Sequence, residues 1–337
     1  MLQQKTKQPL RRALRCGVYL LVLILVLGFV QDILCGATVT GRRKSFYSVP
    51  KNSVDLLVVG SSNMFCTVDP VQLYEQYGIL AYDMGSSSQS LDISYLFLQE
   101  AFKRQKPRVV AVEVLKTYED YADPAWDVGK SYYWGYPVMH FSPEKLRSVQ
   151  TMCGMRQENP LDYLLPGVAQ HTRWREVTGE DVRTALPGWR DATLGFTVLD
   201  GVEPIELQYE TSTEPRQIPE FSQHWYREIS RLCAENGAEL VWFRAPFETW
   251  TIGQGKPIRR LAEEMGDDYL DMNAHIAEMG VDPGSDFYNM GHLNRAGAQK
   301  ATAFLGQYVL DRWPLPTTHA DGRDKLWQWA AAQKNKQ

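Results

Sequence analysis

Five short runs of apolar residues most constrain how this chain can fold: "VDLLVVG" (residues 54–60), "ILAYDMG" (79–85), "PRVVAVEV" (107–114), "AELVWFRAP" (238–246) and "DYLDMN" (268–273). A strand solvated on one face alternates apolar and polar residues, whereas a continuous run belongs to a strand covered on both faces. Helix patterns lie between the runs. "DPVQLYEQYG" opens on an Asp cap and Pro and closes on Gly, and "SLDISYLFLQEAFKRQ" places Leu91, Tyr95, Leu98 and Phe102 on one face. "PEFSQHWYREISRLCAENG", "KPIRRLAEEMG" and "NRAGAQKATAFLGQYVLDRW" follow in the second half. Such alternation predicts an α/β fold with a mostly parallel sheet and helices on both faces, whose sites form at the carboxyl ends of the strands.

The N-terminus carries a membrane signal. Lys5, Lys7, Arg11, Arg12 and Arg15 precede "GVYLLVLILVLGFV", an uninterrupted apolar run over residues 17–30. At about 1.5 Å per residue this covers roughly 21 Å, short of a hydrocarbon core of about 30 Å. Extended to Leu34 or Gly36, with Asp32 at the outer interface, it would just span. We expect a cytoplasmic basic segment over 1–15, a transmembrane signal-anchor over 16–36, a folded domain over 53–313 and a tail over 314–337. Basic residues stay inside, which puts the domain outside the cytoplasm at the cell membrane, although Arg42, Arg43 and Lys44 weaken the asymmetry. A cleaved signal peptide ending near Cys35-Gly36-Ala37 is the competing reading.

The formal net charge is −4 with five cations ahead of the apolar run, so the remainder is more acidic still, which argues against nucleic acid as a partner. Cys16, Cys35, Cys66, Cys153 and Cys233 show neither pairing nor metal-ligand spacing. Residues from about 115 to 216 break the strand–helix rhythm. They include a helix start at Ser142-Pro143 and crowded aromatics, Trp126, Tyr132, Tyr133, Trp134 and Tyr136. The aromatics read either as a platform for a sugar ring or acyl chain or, more simply, as the core of the insertion itself. The tail reads as a Pro-bounded turn, one amphipathic helix and a disordered end.

Two serines follow the first strand: Ser61 and Ser62 sit on the turn after Gly60, where a side chain points into any site at the sheet's carboxyl edge. A serine nucleophile needs a base within hydrogen-bond reach, a group to orient that base, and donors for the oxyanion. Of six histidines, His292 has the suggestive setting. It lies in "SDFYNMGHLNRAGAQKAT", on a loop after the last strand and just before a helix that Asn294 can cap.

The order strand-"GSSN", strand-"YDMGSSSQS", strand-"VVAVEV" and terminal "DFYNMGHLNRAGA" resembles the SGNH (GDSL-type) hydrolase superfamily, over residues 54–115 and about 220–313. It is most similar to the exported, membrane-anchored branch of Gram-positive bacteria, and more distantly resembles the D-alanine-transfer protein of teichoic acid synthesis and the alginate O-acetyltransferases. The resemblance implies a three-layer α/β/α flavodoxin-like fold and esterase or acyl-transfer chemistry through a serine, with no cofactor, metal or nucleotide. It gives Ser62 as nucleophile, with Ser61 in place of the usual Asp, and His292 as base. Backbone N–H groups of Ser62 and of Gly85 or Ser88 would hold the oxyanion. Asn63 and Arg244 become candidate substrate contacts, Arg244 toward an anionic group, with packing or an ion pair as the alternative. Acyl esters of a cell-envelope polysaccharide, or an acylated small molecule, are the implied substrates. A membrane-embedded acyltransferase is an implied partner.

Two departures stand out. No Asn follows the third strand, where the residues are Leu115, Lys116 and Thr117, and the usual triad Asp is Asn289. Asn289 can accept from the His292 ring but cannot stabilise an imidazolium by charge. Asp286, or Asp282, would substitute if the loop brought either near. A catalytically inactive scaffold that binds glycan or an assembly partner is therefore the alternative. There is no Gly-x-Ser-x-Gly elbow, Walker loop or Gly-x-Gly-x-x-Gly fingerprint.

Overall fold

The computed structural model describes residues 7–121, 123 and 135–334, without the side chains of residues 7–10 and 168. Each apolar run contains one strand: β1 (Leu56–Gly60), β2 (Ala81–Gly85), β3 (Val109–Glu113), β4 (Glu239–Arg244) and β5 (Asp268–Asp271). All pair in parallel, in the order β2-β1-β3-β4-β5. The chain leaves β1 toward β2 on one side and returns to β3 on the other, so the carboxyl end of β1 lies where the strand order reverses. A separate antiparallel hairpin joins β6 (Phe287–Asn289) to β7 (His292–Leu293).

Continuous apolar runs are explained by two buried clusters, one on each face of the sheet. Leu57, Val59, Tyr82, Val110 and Trp242 belong to the first, and Leu56, Val58, Ala111, Phe243 and Leu270 to the second. The helices that cover them are α1 (Lys7–Ser48), α2 (Ser62–Phe65), α3 (Pro70–Tyr77) and α4 (Leu91–Phe102) in the first half. The insertion holds α5 (Gly135–Val138), α6 (Pro143–Arg156), α7 (Pro160–Leu164), α8 (Pro166–Ala169) and α9 (Gly179–Ala185). Then follow α10 (Glu220–Glu235), α11 (Ile252–Met265), α12 (Ile276–Met279), α13 (Arg295–Arg312) and α14 (Lys325–Lys334). The sequence punctuation places several ends. Asp69 accepts from the Val71 and Gln72 N–H groups ahead of α3, and Gly78 ends it in the left-handed region at φ +70°. Ser142 caps α6 through the Lys145 N–H, and Asn294 caps α13 through Ala296 and Gly297.

The membrane signal is a helix whose side chains are exposed over residues 11–30, and α1 is the one helix among the described residues long and apolar enough to cross a membrane. It breaks at Gly36 (φ +87°), where Arg173 fills the space a side chain would need and donates to the Ile33 carbonyl at 3.0 Å. Residues 37–48 then turn into the domain, burying Val39 and Phe46, so the folded unit begins upstream of residue 53. The basic triplet works inside this joint. Arg42 donates to Gly195 O and Thr197 Oγ1 and stacks 3.6 Å over the Phe65 ring; Arg43 pairs with Asp32; Lys44 donates to the Thr184 and Leu186 carbonyls at the end of α9.

Two further regions bear on the expectations raised by the sequence. The tail carries the expected helix, and the end expected to be disordered, beyond residue 334, lies outside the described residues: α14 docks on the β2 edge with Trp327 fully buried, its Nε1–H donating to Ala81 O at 2.7 Å, while Arg323 pairs with Asp55. Replacing Trp327 with Ala is expected to cost about 3–5 kcal/mol, read as a lowered denaturation midpoint of the detergent-solubilised chain. An unchanged midpoint would mean the helix is only draped on the surface. In the insertion, Tyr136 is buried edge-on against Tyr163 at 5.2 Å, in the cluster that also covers one face of the sheet. Trp126, Tyr132, Tyr133 and Trp134 lie outside the described residues.

Candidate active site

The Ser61-Ser62 turn follows directly from Gly60. A Cβ there would lie 2.5 Å from the Glu113 Cβ, so only glycine lets β1 and β3 approach this closely at their carboxyl ends. Ser61 then points inward, is buried, and donates through Oγ to Glu113 Oε2 at 3.0 Å. Ser62 opens α2 and is half-buried with its hydroxyl facing the β6–β7 hairpin.

That hairpin brings His292 across the sheet edge. Asn289 and His292 are directly paired, with only Met290 and Gly291 between them. His292 Nε2 lies 2.9 Å from Ser62 Oγ, and His292 Nδ1 lies 2.9 Å from Asn289 Oδ1. The Gly291 N–H also donates to Asn289 Oδ1 at 2.9 Å, which fixes the amide with its oxygen toward the ring. Facing an acceptor, Nδ1 carries the ring hydrogen, leaving the Nε2 lone pair to accept from the Ser62 hydroxyl. Burial and then the Arg244 charge hold the imidazole below its ordinary value of 6.5, so it is neutral at neutral pH. The arrangement can therefore withdraw a proton from Ser62. It lacks a carboxylate to stabilise the imidazolium that results.

Three contacts hold the hairpin turn, and a fourth ties Asn63 to Pro246, just beyond β4. The Glu248 N–H donates to Met290 O at 3.0 Å, Asn63 Nδ2 donates to Gly291 O and to Pro246 O, and the Phe247 ring packs where a Gly291 side chain would lie, 2.9 Å away. Asn63 is fixed in turn by Arg244, whose Nη1 donates to Asn63 Oδ1 and to Glu113 Oε1 at 2.9 Å. Arg244 is fully buried, with the rings of Phe247 and Trp250 over its guanidinium at 4.6 and 4.8 Å. Burial pushes the Glu113 carboxyl up, and Arg244, Ser61 and the Leu115 N–H pull it back.

Several residues singled out from the sequence change character in the fold. Arg244 and Asn63 face inward and are buried, so neither presents a polar group to a substrate; both brace the turn that carries His292. Asp286 is engaged elsewhere: it pairs with Lys300 at 2.6 Å and accepts from the Asp282 N–H, leaving Asn289 on the ring. Asp282 accepts from Gly284 and Ser285. Gly85 lies opposite Gly60 in the β1–β2 register, and Ser88 sits half-buried in the following turn at φ +50°. Ser61 is not the cap of α2 by its side chain, and the first N–H groups of a helix, here those of Ser62 and Asn63, have no acceptor within it.

Glu113 was missed by sequence reasoning, although a lone acid ending a strand buried on both faces requires a cation. Tyr288 and Met290, on the same hairpin, are 40% and 46% exposed, so the Ser62 edge is open to solvent. No family model and no curated protein matches this chain.

Proposed function

We propose that the chain is a membrane-anchored, extracytoplasmic serine esterase or O-acyltransferase that acts on acyl esters of a cell-envelope polysaccharide. The observation that carries the reading is the hydrogen-bond chain from Ser62 through His292 to Asn289. The β2-β1-β3-β4-β5 order and a buried cluster on each face support a three-layer, flavodoxin-like SGNH architecture. The exposed apolar stretch of α1 and its basic N-terminal flank support the anchor and the outside placement of the domain.

In this reading Ser62 Oγ attacks the ester carbonyl carbon while its proton passes to His292 Nε2. The oxyanion is met by the N–H of Ser62 and by Gly85 or Ser88. Collapse expels the alcohol, which takes the proton from Nε2, and leaves an acyl group on Ser62. Water or a sugar hydroxyl then attacks the acyl carbon, His292 again taking and returning the proton. Asn289 orients the ring in both halves, as the neutral amide of Cys-His-Asn enzymes does. Glycan as acceptor, and a membrane-embedded acyl donor, rest on location and on resemblance to the exported SGNH branch.

A second reading, a binding scaffold without catalysis, is favoured by one observation: Asn289 supplies no charge. A fluorophosphonate probe on the detergent-solubilised chain separates the two. The catalytic reading expects one adduct, mapped to Ser62 and absent from Ser62→Ala. The labelling rate should hold its plateau at neutral pH and fall only below pH 6.5, because the depressed imidazole stays unprotonated to lower pH. No Ser62-dependent adduct, together with no hydrolysis of a p-nitrophenyl acetate ester, would leave the scaffold.

A further inference from the structure

The insertion has a surface that the Ser62 site does not use, and it lies where α1 leaves its apolar run. The side chains of α1 are exposed through residue 30 and first become half-buried at Gln31. What covers Gln31 is α8: a Cβ on Gly167 would lie 3.1 Å from the Gln31 side chain. One turn further along, Arg173, from the 3-10 turn His171–Glu176, donates to the carbonyls of Ile33 and Leu34. Arg173 is held by Asp181, which also accepts the Ala37 N–H at 2.7 Å. The helix end is thereby capped by the insertion rather than joined to it by a slack linker.

The apolar run covers roughly 21 Å of a hydrocarbon core of about 30 Å. The shortfall falls on Gln31–Leu34 and on whatever packs around them, and mismatch of this kind carries a modest cost for each ångström that is left unmet. The elements that pack there, α8 and the 3-10 turn, and α7 packed against α8, expose apolar side chains. Leu161 and Leu165, one helical turn apart on and just beyond α7, are 54% and 45% exposed, and Trp174 is 64% exposed with the Arg175 guanidinium 5.2 Å from its ring. Exposed Trp beside Arg, together with exposed leucines, is the composition of the headgroup boundary. Over residues 160–176, Asp162 and Glu176 balance Arg173 and Arg175, so charge gives this surface little hold on a membrane.

We propose that α7, α8 and the 3-10 turn after them form an interfacial seat, in which Leu161, Leu165 and Trp174 enter the outer boundary of the bilayer and complete the short transmembrane run. This rests on reading α1 as a membrane helix. The seat also fixes the height and tilt of the Ser62 site. Beyond Gly36 the same helix carries Arg42, stacked on Phe65 of α2, the helix that Ser62 opens.

The test uses the full chain in a Cys16→Ser background, because Cys16 is exposed and the other four cysteines are buried. Nitroxides are placed singly at Leu23→Cys in the apolar run, Leu165→Cys and Trp174→Cys in the seat, and Arg260→Cys, whose wild-type side chain is 82% exposed on α11. Power saturation with oxygen and with a water-soluble nickel chelate is measured in phosphatidylcholine vesicles, with and without phosphatidylglycerol. The seat labels should show an oxygen-to-nickel accessibility ratio several-fold above that of Arg260→Cys and below that of Leu23→Cys, equal in both lipid mixtures. If Leu23→Cys reports bilayer while both seat labels match Arg260→Cys, the seat is wrong and the anchor stands. If Leu23→Cys itself reports water, the anchor reading fails and takes the seat with it. Seat labels shielded from both reagents would mean that protein, such as a second copy, covers the surface, and a ratio that rises only with phosphatidylglycerol would mean a charge contact. Either result overturns the proposal.

Discussion

Replacing His292 with Ala is expected to slow acylation of Ser62 by about 10⁶-fold, the scale seen when one member of a serine–histidine unit is removed. The size follows from how the hydroxyl is held. Ser62 Oγ has the Nε2 lone pair 2.9 Å away as its proton acceptor, and no carboxylate takes that position when the ring is gone. The measurement is the pseudo-first-order rate of fluorophosphonate labelling, with circular dichroism to show that the fold is kept. A loss below about tenfold would mean that Ser62 reacts without His292 and that the hydrogen bond is only structural.

Asn289 should behave differently from the Asp of a charged triad. In a serine protease the Asp→Asn change costs about 10⁴ in kcat because the amide enforces the wrong tautomer. Here the Gly291 N–H turns the amide oxygen toward Nδ1, so the productive tautomer survives and only charge stabilisation is absent. Asn289→Asp therefore adds what is missing. A carboxylate at this distance raises an imidazole pKa by about 1–3 units, against the burial and Arg244 charge that now lower it. The acid limb of the labelling rate should move up in pH while the plateau rate rises. An unmoved limb would show that His292 is not the titrating base.

The strands were legible because burial on both faces writes itself as uninterrupted apolar runs, and the helix ends because Asp69, Ser142 and Asn294 cap through local contacts. The local setting at the carboxyl edge of the sheet drew attention to Ser61, Ser62 and His292, but it was the resemblance to the SGNH superfamily that separated Ser62 from Ser61 and implied His292 as its base. What could not be read depends on which strands become neighbours. Glu113 and Arg244 are 131 residues apart in sequence and meet only because β3 pairs with β4. Arg42 could be read only as one of three cations that weaken the membrane asymmetry, because Phe65 and Gly195, which close over it, lie further along the chain. The buried side of α14 offers little more than Trp327 and Ala330, too sparse a pattern to separate a docked helix from a solvated one.

The buried pair itself gives the second large effect. Arg244→Met keeps the volume between Phe247 and Trp250 but strands the Glu113 carboxylate in a site with no exposure at the partner's end. Removing one partner of a buried pair costs about 3–5 kcal/mol, against less than about 1 kcal/mol for an exposed one. Function should fall with stability for a specific reason. Asn63 loses the donor that fixes its Oδ1, and with it the hold of Nδ2 on Gly291 O, so the turn carrying His292 is freed. Adding Glu113→Gln to Arg244→Met removes the uncompensated charge while keeping a carbonyl oxygen to accept from the Leu115 N–H and an amide NH2 that donates to Ser61 Oγ. The double variant should regain most of the denaturation midpoint but little of the labelling rate, because Asn63 is still unsupported. Recovery of both together would mean that the pair acts only through stability. Recovery of neither would mean that Arg244 is needed for packing rather than for its charge.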